Sequence, residues 1–177
     1  TSMRTTLHTS LRAERCPADA MNKLSARMHR SRHARAPHPV LFVDETPLHE
    51  WIKGVVCDAG GVDSTDSLVP AQGWLLDEGD GEHAWKLLSP REDHSSTIVP
   101  MLVCPDDMDM SCTVAVVEQM ADGQNIRWVR TGRALDVING IVTSVAWTAP
   151  SQTAVFSREE FGNAVAELRR LTDEVWK

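Results

Sequence analysis

A chain of 177 residues with 42% hydrophobic and 24% charged residues has the composition of an ordinary globular protein, with room for one domain and an appendage. Its longest apolar run, residues 98–103, contains Pro100 and falls far short of the ~20 residues that cross a bilayer, which excludes a membrane-spanning role. Four cysteines are too few for a disulfide-stapled secreted scaffold, so we expect a cytoplasmic, bacterial-type protein with reduced thiols and no cofactor.

The net charge of −7 is divided unevenly along the chain. Residues 1–39 carry eight Lys and Arg side chains and two acids, whereas residues 40–177 carry ten basic and 23 acidic side chains. An acidic body attracts basic partners and repels nucleic acid. Nucleic acid is therefore an expected partner only through phosphate contacts of the N-terminal arm, and the arm could equally fold back on the acidic body.

Residues 1–39 are interpreted as a basic N-terminal extension or linker, partly disordered. Met21, Leu24 and Met28 follow i, i+3, i+7 spacing, and Pro17 suits a first helical turn, so a short helix is predicted over residues 17–29. The first residues have the composition of an organellar transit peptide, and equally of translated sequence upstream of a start at Met21 or Met28. A single domain is predicted over residues 40–177.

The first part of this domain mixes short elements. The β-favouring run 40–43 predicts a strand, and the apolar spacing over residues 48–55 predicts a helix of about two turns. Residues 58–66 have the composition of a loop, residues 67–76 have helical spacing interrupted by Pro70 and Gly73, and residues 77–82 resemble a turn. Residues 84–88 fit either a strand or one helical turn.

The second half predicts an antiparallel meander. Strand patterns cover residues 97–104, 111–119, 125–130 and 141–148, with a fifth strand possible at 153–156. Turn sequences separate them, including Asn139-Gly140. The segment from Ser157 to Glu160 is a capping box that opens a C-terminal helix, whose apolar stripe is Phe161, Val165, Leu168, Leu171 and Val175.

The expected fold class is therefore α+β. It consists of an antiparallel β-meander of four to six strands with helices packed on one face, a C-terminal amphipathic helix and the basic N-terminal extension.

The stretch CPDDMDMSC, from Cys104 to Cys112, places two thiols and three carboxylates within nine residues. Its cysteine spacing is not that of a zinc knuckle, and Asp106, Asp107 and Asp109 lack the glycine and distal glutamate of an EF-hand loop. A cross-strand disulfide is geometrically possible. The favoured interpretation is an acidic hairpin tip that binds a partner, with the cysteines as small apolar residues of the sheet and no metal.

No catalytic motif is complete. His49-Glu50 begins the zinc-binding pattern H-E-x-x-H, but Lys53 stands in place of the second histidine, so His49 is expected to face solvent. His94 has no nucleophile elbow near it, and Gly60-Gly61 lacks the remainder of a nucleotide-binding loop. No catalytic residue is assigned.

The six tryptophans are expected to lie mostly in the core, because each can bury ~150–250 Å². Trp128 lies between Arg127 and Arg130 on a short predicted strand, where alternation favours burial, and it is also kept as a candidate recognition residue.

These patterns favour a non-enzymatic binding protein whose acidic surface engages a basic protein partner, such as a small bacterial immunity or antitoxin-like inhibitor. The predicted binding residues are Asp106, Asp107, Asp109 and Trp128. Two alternatives remain open. One is a small enzyme or ligand-binding domain with a pocket between sheet and helices, using His83, His94 or Asp106. The other is a regulatory or nucleic-acid-associated protein that acts through the basic arm. A homodimer is also possible.

Overall fold

The computed structural model describes residues 21–32, 34–55, 65–91 and 95–177. Two antiparallel sheets and four helices make up an α+β fold, as the sequence predicts. The smaller sheet has the order β1-β2-β3, comprising β1 (Leu24–His29), β2 (His38–Val43) and β3 (Thr46–Pro47). None of the helices in these ranges is long and apolar enough to cross a membrane.

The larger sheet has six strands and contains the predicted meander. Its order is β4 (Val69–Pro70), β5 (Ser96–Val103), β6 (Val114–Asp122), β7 (Asn125–Ile138) and β8 (Ile141–Trp147), while β9 (Ala154–Ser157) pairs with β7. At the β7–β8 turn both Asn139 and Gly140 have positive φ, at 52° and 74°. Two successive positive φ values are typical of the tight hairpin turn that Asn-Gly predicts.

The large sheet is buried on both of its faces along β6. Val114 and Val116 belong to one hydrophobic cluster, whereas Ala115 and Val117 belong to the other. Since successive side chains of a strand point to opposite faces, a continuous apolar run is what such a doubly covered strand requires.

The C-terminal helix α4 (Arg158–Val175) begins at the predicted capping box, where the Ser157 hydroxyl accepts a hydrogen bond from the Glu160 N–H at 3.1 Å. It packs against β1 and β2 of the small sheet. Its buried residues are Phe161, Ala164, Leu168 and Thr172. The buried face is thus rotated slightly from the predicted stripe, and Val175 is exposed at its end.

The N-terminal prediction needs correction, because residues 24–29 form strand β1 rather than a helix. β1 pairs with β2 from Leu24 opposite Val43 to His29 opposite His38, so the domain boundary predicted at residue 40 lies inside β2. The apolar spacing of this segment, at Leu24, Ala26 and Met28, also fits the two-residue period of a strand. Pairing with the fully buried β2 selects the strand over the helix. Residues 17–20 lie outside the described ranges.

The region between the sheets also differs from its prediction. Helix α1 (Leu48–Trp51) has one turn instead of two, and residues 67–76 form the end of a 3-10 turn, β4 and the one-turn helix α2 (Ala71–Trp74). The predicted turn at 77–82 is the start of helix α3 (Glu78–Leu88), where the Asp77 carboxylate accepts from the Asp80 N–H at 2.9 Å. The helix forms at this cap despite Gly79 and Gly81, which weaken a helix. Most of the predicted loop 58–66 lies outside the described residues.

Substitution of Leu24 by Ala tests whether β1 belongs to the core. Leu24 is 4% exposed, and we expect its truncation to lower the free energy of unfolding by ~2–4 kcal/mol. Met28→Ala, in the same strand at 43% exposure, should change it by only ~0.5 kcal/mol. Urea denaturation measures both variants. Equal, small effects would show that β1 does not contribute to folding.

Candidate functional site

Residues 104–112, which we call the acidic loop, lie between β5 and β6 and are held in place by backbone and side-chain hydrogen bonds. The Met108 N–H donates to the Cys104 carbonyl at 3.0 Å, and the Met108 carbonyl accepts from the Leu76 N–H at 3.0 Å. The Asp109 carboxylate accepts from the backbone N–H of Ser111 at 2.8 Å and from its hydroxyl at 2.7 Å. These hydrogen bonds stabilise the charged form and lower the pKa of Asp109 from its ordinary value.

The three predicted aspartates lie on this loop, and Trp128 does not join them. Asp106 and Asp107 are exposed and Asp109 is half-buried. Trp128 is 0% exposed, and its Nε1–H donates to the Gln119 side-chain oxygen at 3.0 Å. Its side chain belongs to the core and presents no surface to a partner.

An apolar groove of about 420 Å³ lies beside the loop. We call it the tryptophan groove because Trp74 and Trp176 are its largest lining side chains. Its remaining lining comes from segment 34–38, β4 and its flank, the acidic loop and the end of α4, namely Ala34, Arg35, Ala36, Pro37, His38, Ser67, Val69, Pro105, Asp106, Met108 and Val175. Its volume falls within the ~300–1,000 Å³ of typical ligand sites.

The two tryptophans meet because α2 approaches α4 very closely. Gly73 has φ +93°, and a Cβ at this position would lie 2.3 Å from the Thr172 side chain. Only glycine satisfies both constraints. The approach places the rings of Trp74 and Trp176 edge to face at 5.6 Å between centroids, and His38 packs on Trp74 in the same manner at 5.4 Å.

A second acidic segment lies against the loop, at the start of α3. Burial raises the pKa of Asp80 above its ordinary value, and the neighbouring charges of Asp77 and Asp109 raise it further. We call Asp77, Asp80, Asp106, Asp107 and Asp109 the acidic rim. The carboxylates of the rim come from two segments about 30 residues apart in sequence, which sequence patterns alone did not associate.

The antiparallel pairing of β5 with β6 also brings Cys104 and Cys112 together. A ligand atom of each cysteine and one of Asp107 lie within 4.8 Å of one another. Burial, followed by hydrogen bonds with Cys104 and Asp107, raises the pKa of the Cys112 thiol to about 11. Both cysteines are free thiols.

A second group that could hold a cation consists of His29, His49 and Glu50. His49 was expected to face solvent, but this expectation is wrong, since His49 is 3% exposed and is buried together with Leu48 on the one-turn helix α1. The rings of His29 and His49 lie 5.2 Å apart. Within the described residues, His49 Nδ1 is a buried polar atom without a hydrogen-bond partner.

Two of the residues named for an enzymatic alternative, His83 and Asp106, do not come together. His83 lines an open surface cavity of about 430 Å³ with Trp85, Lys86 and Arg169, whereas Asp106 lies at the tryptophan groove. His94 lies outside the described residues. The two that can be placed therefore face different cavities.

The chain matches no protein-family model, and neither curated proteins nor solved structures show significant similarity to it. Function has to be argued from the geometry and chemistry of the site itself.

The buried histidines predict how stability depends on pH. Burial lowers the pKa of His49, the nearby His29 and His38 lower it further, and Glu50 and Asp66 oppose the shift; burial also lowers the pKa of His38. The unfolded chain therefore binds more protons than the folded chain below pH ~6.5. The contribution of these two histidines to the free energy of unfolding is therefore present above this pH. It should be lost as pH falls through their lowered folded-state pKa values.

Urea unfolding of the wild type and of His49→Leu between pH 5 and 8 measures this effect. The wild type should lose stability below pH 6.5, and His49→Leu should show a flatter profile because one of the two buried groups no longer titrates. A variant profile as steep as that of the wild type would contradict this assignment.

Proposed function

We propose that this protein is a non-enzymatic binding protein that recognises a basic segment of a protein partner. An apolar side chain of that segment enters the tryptophan groove, and its Lys and Arg side chains pair with the acidic rim. A small immunity or antitoxin-like inhibitor of a basic protein is one concrete form of this function.

The observation that carries the proposal is the exposure of Trp176 beside the acidic rim. Trp176 is 59% exposed, and Val175 and Leu76 next to the groove are also exposed, at 42% and 70%. Exposed large apolar groups around a concave site are typical of recognition surfaces, and tryptophan is enriched among the residues that contribute most to binding.

Charge complementarity supports a basic partner. The rim combines five aspartates, and Asp106 belongs both to the rim and to the groove lining. Carboxylates grouped in this way accelerate association with cations, and the acceleration falls with salt. Arg35 on the groove wall leaves room for one acidic or polar group in the bound segment.

Two other interpretations have less support. For the enzymatic alternative, the two candidates that lie in the described ranges, His83 and Asp106, line different cavities. A nucleic-acid role of the basic arm stays a prediction, because residues 1–20 lie outside the described ranges and residues 24–29 form a strand. The homodimer stays a prediction as well.

A peptide library tests the proposal directly. Each peptide carries one central Trp, Phe or Leu flanked by Lys and Arg, and each has a counterpart with Glu in place of the basic residues. We expect binding of the basic set alone. Variants of the protein are then compared with the peptide that binds most tightly. Asp106→Asn/Asp109→Asn should slow association several-fold at low salt. Trp176→Ala should weaken affinity by about tenfold or more through faster dissociation.

Matched variants serve as controls. Asp122→Asn/Glu159→Gln removes the same charge at the opposite end of α4 and of the sheet and should leave association unchanged. Trp176→Phe retains an aromatic ring and should keep most of the affinity. Equal association rates for the two charge variants, or full affinity in Trp176→Ala, would reject the proposed site.

A further inference from the structure

The acidic loop carries two thiols, those of Cys104 and Cys112, that recognition of a basic partner does not use. Two cysteines and one aspartate, Cys104, Cys112 and Asp107, converge at the base of this loop. The fold determines this convergence. Val103 pairs with Val114, so Cys104, one residue after Val103, and Cys112, two residues before Val114, lie at the mouth of one antiparallel hairpin. The hydrogen bond from Met108 N–H to the Cys104 carbonyl then turns Asp107 back toward the cysteines.

We propose that Cys104, Asp107 and Cys112 form a binding site for a thiophilic divalent cation, with Zn²⁺ as the best fit. Two thiolates and one carboxylate are three ligands of the types that zinc binds in tetrahedral sites. A fourth position is left for water. Asp107 belongs to the acidic rim as well, but the inference does not depend on the proposed function, because it is argued from the convergence of Asp107 with the two thiols.

The distances are compatible with one ion. Two thiolates bound at about 2.3 Å in a tetrahedral site lie about 3.8 Å apart. The three ligand atoms already lie within 4.8 Å of one another, so rotamer adjustments of about 1 Å close the site. A sequence search for zinc knuckles does not detect it, because strand pairing supplies the proximity that a C-x₂₋₄-C turn supplies elsewhere.

The ligand chemistry selects the ion. Soft thiolates favour zinc over calcium and magnesium, which prefer oxygen-only sites. When the cation binds, two S–H bonds break and two metal–sulfur bonds form, and both protons leave to solvent without any change of oxidation state. A disulfide between the same sulfurs requires an oxidant, which cation binding does not.

Cobalt(II) provides a spectroscopic probe for this site. The experiment uses the full chain in the variant Cys16→Ser/Cys57→Ser, so that Cys104 and Cys112 are the remaining thiols, kept reduced by a non-chelating reductant. We expect one Co²⁺ per chain, a thiolate-to-cobalt charge-transfer band, the intense visible bands of tetrahedral cobalt, and loss of both signals when Zn²⁺ is added. The charge-transfer band distinguishes this site from the His29, His49 and Glu50 group, which offers no sulfur.

Three further variants make the test specific. Cys112→Ser should abolish the two-thiolate spectrum, and Asp107→Asn should weaken Co²⁺ binding at least tenfold. Asp106→Asn, one residue away with the same loss of charge, should leave binding within about twofold. Far-ultraviolet circular dichroism establishes that each variant is folded.

Three results would overturn the proposal. They are the absence of a charge-transfer band in folded, reduced protein, equal affinities of Asp107→Asn and Asp106→Asn, or a mass decrease from a Cys104–Cys112 disulfide in protein whose reduced form binds no Co²⁺.

Discussion

The buried indole of Trp128 connects most layers of this protein. Its ring contacts Phe156 of β9 and Phe161 of α4, with centroids at 4.9 and 6.2 Å, and Trp51 of α1 at 5.7 Å. Its Nε1–H donates to Gln119 of β6, whose amide donates in turn to the Leu88 carbonyl at the end of α3, at 3.1 Å. One side chain of β7 thereby fixes the start of α4 and the end of α3 relative to the large sheet. A tryptophan can be fully buried in this way because the only polar atom of its side chain, Nε1, has a hydrogen-bond partner.

The candidate site depends on that arrangement through α4. The helix has 18 residues and spans about 27 Å, so fixing Phe161 near its start and Thr172 near its end sets its direction. Gly73 permits the close contact at Thr172, and Trp176, four residues further along, is thereby placed against Trp74. The backbone hydrogen bond between Leu76 and Met108 holds the acidic loop beside the same pair. The groove and the rim are thus products of tertiary packing.

Sequence patterns predicted the elements that are defined by turns and caps of a few residues. The meander from β5 to β8 and helix α4 were predicted because tight turns such as Asn139-Gly140 and the cap at Ser157 act over a few residues. Strand β1 was missed because its residues satisfy two periods, and only pairing with β2 selects one. The start of α3 was missed because Gly79 and Gly81 are typical of a turn, although Asp77 caps the helix that begins there.

The same distinction explains what was predicted of the site. Asp106, Asp107 and Asp109 were predicted as a group because they lie close together in sequence. Asp77 and Asp80, and the pair Trp74–Trp176, come from segments far apart in the chain. Strand alternation favoured burial of Trp128, which is fully buried, whereas no local pattern indicated that Trp176 is 59% exposed. The abundance of tryptophan by itself does not identify which ring faces solvent.

The indole N–H resonances of the six tryptophans test the central claim, that the tryptophan groove is the recognition surface. Each resonance can be assigned by a single Trp→Phe variant and followed in ¹⁵N-labelled protein during titration with the tightest basic peptide. The account predicts that the signals of Trp74 and Trp176 shift together with the backbone amides of residues 106–109, while the signal of Trp128 stays fixed by its hydrogen bond to Gln119. Shifts confined to Trp85 and its cavity, or no shift at Trp74 and Trp176 under saturating peptide, would contradict it.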